Sequence, residues 1–288
     1  MTPRVEAWQK RGIVEEVNGR RIHVFGRDGR DPLLLLLHGF PSSSYDWRLL
    51  LDEEVEHAAL AFDCLGFGLS DKPADHDYTL AEQADIAEEL VRRHGHGGRV
   101  FIVAHDMGTS VATELMARDI EGELEMNLRG ALLFNGSMIQ GAASPTVAQR
   151  LLRGPLGPVA ARLSSERFFR QQFGSIFSEG HPLTEEEAAD QWSLVAHNGG
   201  QRLGHKLISY MDERERYAER WHGALRDWRK PLHLAWGMQD PVATEKVLDG
   251  VMELRPAAPL IRFEELGHYP QIEDPQRVAG ALRSALAA

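Results

Sequence analysis

The chain has 288 residues, of which 43% are hydrophobic, and it fits one large α/β domain with an insertion better than two independent domains. Its formal net charge of −11 argues against nucleic acid and against anionic membrane surfaces as partners, because both carry negative charge themselves. The single cysteine, Cys64, excludes an internal disulfide, and the polar segment 1–11 lacks the apolar stretch of a signal peptide, so we expect a cytoplasmic protein.

The first hundred residues carry strand patterns and one clear helix start. Asn18-Gly19 is a strong hairpin signal, and Thr79-Leu80-Ala81-Glu82 is a capping box that opens an amphipathic helix ending near residue 93. Because strands and helices alternate along this part of the chain, we expect a mostly parallel sheet with helices on both faces. The strand-like runs are residues 13–17, 21–25, 32–37 and 60–62.

A short turn at Asp106 joins a predicted buried strand, 100–104, to a predicted helix, 109–118. Ala104 and Gly108 lie two positions either side of Asp106, where a sharp strand-to-helix turn needs small residues because larger side chains would collide. This is the pattern of a nucleophile elbow, in which the apex side chain attacks the substrate. The alternative interpretation is an aspartate that simply caps the helix.

An aspartate at the apex favours substrates with a reactive saturated carbon. A serine that attacked such a carbon would form an ether, which water activated by a histidine could not cleave. Asp106 would instead form an alkyl ester, and water could then attack the Asp106 carbonyl and release an alcohol. Epoxides and alkyl halides therefore fit this residue better than ordinary esters.

The strand pattern pauses between residues 138 and 226, which contain helical segments, prolines and glycines. It resumes at residues 231–237. Ligands bind at the carboxyl edge of the strands in such sheets, so the insertion is best placed as a lid over that edge. We predict a core domain of residues 1–137 and 227–288 and a helical lid of residues 138–226.

Two further residues follow strands in the order that a nucleophile, an acid and a histidine take in such folds. Asp240 comes after the strand 231–237, and His268 comes after the last predicted strand, 260–263. His268 is expected to take a proton from the attacking water, while Asp240 orients the imidazole and stabilises its charged form. The alternatives are a turn aspartate and a surface histidine.

The loop His38-Gly39-Phe40-Pro41 follows the strand 32–37. In this arrangement that loop supplies one backbone N–H to the oxyanion hole, and the residue after the nucleophile supplies the other. These donors are Phe40 and Met107. His38 and His105 are expected to be structural.

With these motifs the chain resembles the epoxide hydrolase and haloalkane dehalogenase group of the α/β-hydrolase superfamily over nearly its full length. The resemblance implies an α/β-hydrolase fold, with a mostly parallel eight-stranded sheet and a lid inserted after the sixth strand. Ser42-Ser43-Ser44-Tyr45-Asp46-Trp47 is similar to the mesoderm-specific-transcript-like branch. The other matching stretches are His38-Gly39-Phe40-Pro41, residues 63–73 from Asp63 to Pro73, His105-Asp106-Met107-Gly108 and His268-Tyr269-Pro270-Gln271.

The resemblance also indicates which residues distinguish epoxide substrates from alkyl halides. Epoxide hydrolases use lid tyrosines as proton donors, and Tyr210 matches the second of these in position, with a core aromatic as the alternative interpretation. The first lid tyrosine has no clear match, and Tyr217 is too far along a helix to reach the same epoxide. Haloalkane dehalogenases carry side chains with N–H donors for the departing halide at the positions of Phe40 and Met107. Neither residue has a polar side chain, so the resemblance to dehalogenases is weaker here.

We therefore expect an epoxide hydrolase that gives vicinal diols. A haloalkane dehalogenase, an ester hydrolase and a ligand-binding homologue without catalysis stay open as alternatives. The partner expected is a small apolar epoxide or halogenated substrate, with no cofactor and no metal, and the chain is expected to be a monomer or a homodimer.

Overall fold

The computed structural model describes residues 1–53 and 56–288, which form one eight-stranded sheet with helices on both sides. The strand order is β1-β2-β4-β3-β5-β6-β7-β8. The pairs β1–β2 and β2–β4 are antiparallel and all other pairs are parallel. This confirms the predicted α/β-hydrolase fold. The strands are β1 Ile13–Val17, β2 Arg20–Arg27, β3 Arg30–Leu37, β4 His57–Phe62, β5 Arg99–His105, β6 Asn127–Phe134, β7 Leu232–Gly237 and β8 Leu260–Phe263.

Helices pack against both faces of the sheet. The helices outside the lid are α1 Pro3–Arg11, α2 Arg48–Glu53, α3 Leu80–His94, α4 Met107–Glu121, α12 Glu245–Leu254, α13 Pro270–Glu273 and α14 Pro275–Ala287. The position of β3 between β4 and β5, with helices on both faces of the sheet, explains why residues 32–37 are a continuous apolar run. Leu33, Leu35 and Leu37 belong to the core under α3, α4 and α12, whereas Leu34 and Leu36 belong to the core under α1, α2 and α14.

The segment between β6 and β7, residues 135–231, consists of helices joined by loops and turns, without a strand. Its α-helices, called the lid helices below, are α5 Val147–Arg153, α6 Gly157–Arg162, α7 Glu166–Gly174, α8 Glu185–Val195, α9 Gly204–Leu207, α10 Tyr210–Arg216 and α11 Ala218–Asp227. The lid boundaries 138–226 stay a prediction. Short 3-10 helices lie at Ser44–Trp47, Gln140–Ala142 and His197–Leu203.

Local sequence signals account for several of these helix boundaries. The Thr79 hydroxyl accepts from the Glu82 N–H at the start of α3, as the capping-box pattern predicts. Helix α1 was not predicted: the Thr2 hydroxyl caps it, and Pro3 occupies its first turn. Its Trp8 ring stacks on Phe25 of β2 and is buried. A few such buried contacts hold the helix, although most of its residues are polar, which is why the sequence pattern did not predict it.

Candidate active site

Asp106 lies at a sharp turn between β5 and α4. Its backbone has φ 46° and ψ −112°, a combination rare for a residue with a side chain. A Cβ on Gly108 would lie 2.3 Å from the Leu37 carbonyl oxygen, and a Cβ on Gly39 would lie 2.7 Å from the Asp106 Cβ. Only glycine fits at these two positions. The turn therefore holds the Asp106 side chain in a fixed place at the carboxyl edge of the sheet.

The Asp106 carboxylate does not cap the helix that follows it, so the helix-capping interpretation is wrong. The Phe40 N–H donates to Asp106 Oδ2 at 2.9 Å. Met107 is the first residue of α4, where a backbone N–H has no intrahelical acceptor. The two predicted oxyanion donors thus come from the loop after β3 and from the start of α4, on either side of Asp106.

Arg214 of α10 is a third neighbour of Asp106, and it was not predicted from the sequence. Its Nη2 donates to the Asp106 carbonyl oxygen at 2.9 Å and lies 3.7 Å from Asp106 Oδ1, and its Nε donates to Ser110 Oγ at 2.8 Å. Both charged side chains are almost fully buried, so the guanidinium offsets part of the cost of burying the carboxylate. Its one sequence signal is its spacing four residues after Tyr210, which places both on one helix face.

Asp240 and His268 form a buried pair on the loops after β7 and β8. His268 Nδ1 lies 2.7 Å from Asp240 Oδ2, and the N–H groups of Val242 and Ala243 donate to Oδ1. Burial opposes both charges, but the pair outweighs it: the pKa of Asp240 is lowered and the pKa of His268 is raised above its usual value. The Asp106 carboxylate also helps to raise the His268 pKa. The Nε2 atom of His268 is left as the nitrogen that can take a proton.

Asn135 holds this pair in position, and its role was not predicted from the sequence. It lies one residue beyond β6 with φ 39°. Its Nδ2 donates to Asp240 Oδ2 at 2.8 Å and to the Gly237 carbonyl, and its Oδ1 accepts from the Gly237 N–H. An asparagine tolerates positive φ and bonds nearby backbone, so its position at the end of a strand was the available signal.

Two other histidines hold the loops of the site. His105 Nε2 contacts the His268 carbonyl oxygen at 2.6 Å, and His38 bridges the Gly39 carbonyl and the Cys64 N–H. Burial lowers the pKa of His105 to about 3 and lowers that of His38 as well, so both imidazoles are neutral. These contacts agree with the structural role expected for both residues.

A cavity of about 310 Å³ lies between the lid helices and the sheet edge. His268 and Phe40 line its floor, and Phe168, Phe169 and Phe173 of α7 are among the side chains opposite. Apolar side chains dominate the lining, so the cavity fits a small apolar substrate.

Tyr210 lies behind the Phe40 ring, with ring centroids 5.8 Å apart, and is buried. The Gln149 and Arg214 side chains interact with its hydroxyl, and Gln149 also lines the cavity. Burial, together with the Asp106 charge, raises the Tyr210 pKa well above its usual value, so the phenol is neutral. Tyr217 is instead 41% exposed and follows the end of α10, so the single helix expected to carry both tyrosines is broken there.

Trp192 of the lid helix α8 carries an N–H that could serve as a halide donor. Its ring packs with Phe169, at 5.5 Å between centroids, and does not line the cavity. Within residues 1–53 and 56–288, no cluster of three or more His, Cys, Asp or Glu could hold a metal ion. No helix in that part of the chain is both long and apolar enough to cross a bilayer.

Comparison with known proteins identifies several similar chains. Residues 34–281 match the alpha/beta hydrolase family. The chain is 50% identical over 285 residues to "Putative hydrolase LipZ" of Mycobacterium tuberculosis, covering 99% of both. It is 32% identical to the mesoderm-specific transcript protein of Mus musculus over 96% of this chain and 85% of that one.

Solved structures with about one-fifth of their residues identical to this chain share its fold. The epoxide hydrolase CorEH superposes with a TM-score of 0.78 at 20% identity, over 96% of this chain and 98% of that chain. The haloalkane dehalogenase DatA of Agrobacterium tumefaciens gives 0.77 at 21% identity, over 96% of each chain.

Proposed function

The chain belongs to the alpha/beta hydrolase family, and on that premise we propose that it opens epoxides to vicinal diols through an ester on Asp106. One observation carries the proposal. A carboxylate, free of any helix-capping bond, occupies the apex of the elbow at the sheet edge where Asp240 and His268 also lie. A carboxylate nucleophile forms an ester that water can remove, so turnover on saturated carbon becomes possible.

In the first step an Asp106 oxygen attacks one carbon of the epoxide ring. The carbon–oxygen bond breaks, the ring oxygen takes the electron pair, and the Tyr210 phenol gives it a proton. Tyr210 is suited to this because its phenol is neutral and lies beside Arg214, whose guanidinium is 4.7 Å from its ring centroid and stabilises the phenolate left behind. The product is a hydroxyalkyl ester of Asp106 and a Tyr210 phenolate.

In the second step water attacks the carbonyl carbon of the ester. His268 Nε2 takes the water proton, and Asp240 stabilises the imidazolium. The negative charge that develops on the Asp106 oxygen meets the Phe40 N–H and the Met107 N–H. Collapse of this intermediate releases the diol and regenerates the carboxylate, and the imidazolium proton returns to the Tyr210 phenolate through water.

The surroundings of Asp106 favour an epoxide over an alkyl halide. A departing halide needs N–H or O–H donors from side chains beside the nucleophile, but Phe40 and Met107 carry apolar side chains. The Arg214 guanidinium is also beside Asp106, but its Nε and Nη2 already donate to Ser110 and to the Asp106 carbonyl oxygen. An epoxide needs a neutral acid, and Tyr210 is one. The small apolar cavity supports either substrate class equally.

Replacing Tyr210 by phenylalanine is expected to lower kcat/KM for epoxides about a hundredfold, because the alkoxide then leaves without a proton donor. The loss is expected to shrink for epoxides with electron-withdrawing substituents, whose alkoxides are weaker bases. Rates on a graded epoxide panel measure this. Tyr217→Phe, at an exposed position on the lid, is the matched control and should leave the rates unchanged. Full activity in Tyr210→Phe would remove Tyr210 from the mechanism.

A further inference from the structure

The first two lid helices expose an unusual number of apolar side chains. Among the described residues, ten large hydrophobic side chains are exposed, and five of them lie between residues 147 and 163. Leu163 is 76% exposed and Leu156 is 70% exposed. Soluble proteins usually scatter such residues singly, and a contiguous group marks an interaction surface. The five residues are Val147, Leu151, Leu156, Val159 and Leu163.

This group lies at the entrance to the cavity of the candidate active site. Leu151 of α5 and Leu163, directly after α6, are both exposed and both line that cavity. The helices α5 and α6 pack against each other, so the exposed side chains of the two helices are neighbours. Leu151 and Leu163 therefore connect the exposed apolar group with the cavity.

The charge of this region is opposite to that of the chain as a whole. Residues 126–165 contain no acidic residue, although the chain has 43. Residues 147–170 contain five arginines and one glutamate. Arg150, Arg162 and Arg167 are exposed, and no carboxylate in the described part of the chain lies within 4 Å of them. Together with the five apolar residues, these three arginines form what we call the lid patch.

We propose that the lid patch docks on the surface of a lipid bilayer that carries anionic headgroups. Aliphatic side chains enter the boundary between headgroups and acyl chains, while the arginines bind the headgroup charges, as amphipathic interfacial helices do. The proposal is independent of the reaction proposed above. It revises the expectation of no membrane partner, because that expectation used the net charge and this surface carries a local charge of opposite sign.

The composition of the lid patch argues against two other occupants. A second copy bound by a twofold contact would bring its own arginines against these arginines, which is repulsive. Protein interfaces concentrate their binding energy in aromatic anchors such as tryptophan and tyrosine, and the five apolar side chains here are all aliphatic.

Cosedimentation with vesicles tests the proposal, using phosphatidylcholine alone and equal parts phosphatidylcholine and phosphatidylglycerol. The wild-type chain is expected to sediment with the mixed vesicles, to leave them at high salt, and to bind phosphatidylcholine more weakly. Leu156→Ser with Leu163→Ser should weaken binding about tenfold or more, because both side chains leave the apolar phase. Arg150→Gln and Arg162→Gln should each weaken it about fivefold.

Two exposed residues outside the lid provide matched controls. Ile120→Ser changes an exposed apolar residue of α4, and Arg283→Gln changes an exposed arginine of α14, and both should bind vesicles as the wild type does. The proposal is overturned if the wild type stays in the supernatant with mixed vesicles, or if the lid-patch variants bind like the controls. A wild-type dimer that dissociates in Leu163→Ser, seen by sedimentation velocity, would also overturn it by assigning the patch to a second copy.

Discussion

Replacing Asp106 by alanine is expected to abolish turnover, with kcat falling by about a millionfold or below detection, as for other nucleophiles that act in a triad. No other described carboxylate contacts the Phe40 N–H at the elbow, so no side chain can take over the attack. The measurement is steady-state diol formation from an epoxide that the wild type turns over. Near-normal turnover in Asp106→Ala would show that the ester mechanism is wrong.

A matched control separates chemistry from folding. Asp46 is also a fully buried carboxylate, bound by Ser42 and by Gln191 of the lid helix α8, and it plays no part in the proposed reaction. Asp46→Ala should therefore lose stability in a thermal melt but keep most of its turnover. Asp106→Ala should also melt at a lower temperature, because the buried Arg214 guanidinium loses its partner charge, but it should lose turnover altogether.

Replacing Asp240 by asparagine is expected to lower turnover about ten thousandfold, because the imidazole is held in the wrong tautomer. The geometry dictates this. Two backbone N–H groups, of Val242 and Ala243, donate to Oδ1, against one donor from Asn135 at Oδ2, so the amide oxygen of an asparagine is expected to take the Oδ1 place. Its NH2 group would then face His268 Nδ1 and donate to it, leaving the proton on Nε2, where the base must be free.

The same variant should change the pH profile. Burial disfavours the protonated His268, but Asp240 outweighs this and raises the His268 pKa above 6.5. His268 acts in the hydrolysis of the ester, and its neutral imidazole is the active form, so kcat of the wild type should fall as the pH drops through the raised His268 pKa. In Asp240→Asn the negative charge is gone, so the remaining activity should fall only at a lower pH than in the wild type. If the activity of both proteins falls at the same pH, a group other than His268 causes the fall.

Much of this architecture could be predicted from the sequence because it rests on local patterns. The apolar runs, the small residues around Asp106 and the order of Asp106, Asp240 and His268 each follow from a few neighbouring residues. The eight-stranded sheet and the insertion after β6 agree with what those patterns and the family resemblance predict.

What the sequence could not predict depends on contacts between distant segments. Arg214 reaches Asp106 across 108 positions, and Asn135 reaches Asp240 across 105, and neither has a motif of its own. The lid patch was missed for a different reason. A net charge is one sum over the chain, and it hides a basic surface inside an acidic total.

Helix α10 links the lid to the nucleophile. It carries Tyr210, the proposed acid, and Arg214, which bonds to the Asp106 carbonyl and to Ser110 of α4. The proposed acid and the proposed nucleophile therefore contact the same buried side chain. This contact explains how a lid built of short helices can hold a proton donor at a set distance from a carboxylate on the sheet.

The most direct test of the ester mechanism is the intact mass of His268→Gln after exposure to a panel of epoxides and, separately, to a panel of alkyl halides. This variant keeps Asp106 but lacks the base for the second step, so the ester should accumulate. We predict a gain equal to the whole mass of an epoxide, located on Asp106 by peptide mapping. A gain of an alkyl group alone, from the halide panel, would identify a dehalogenase. No adduct from either panel would contradict attack by Asp106 on saturated carbon.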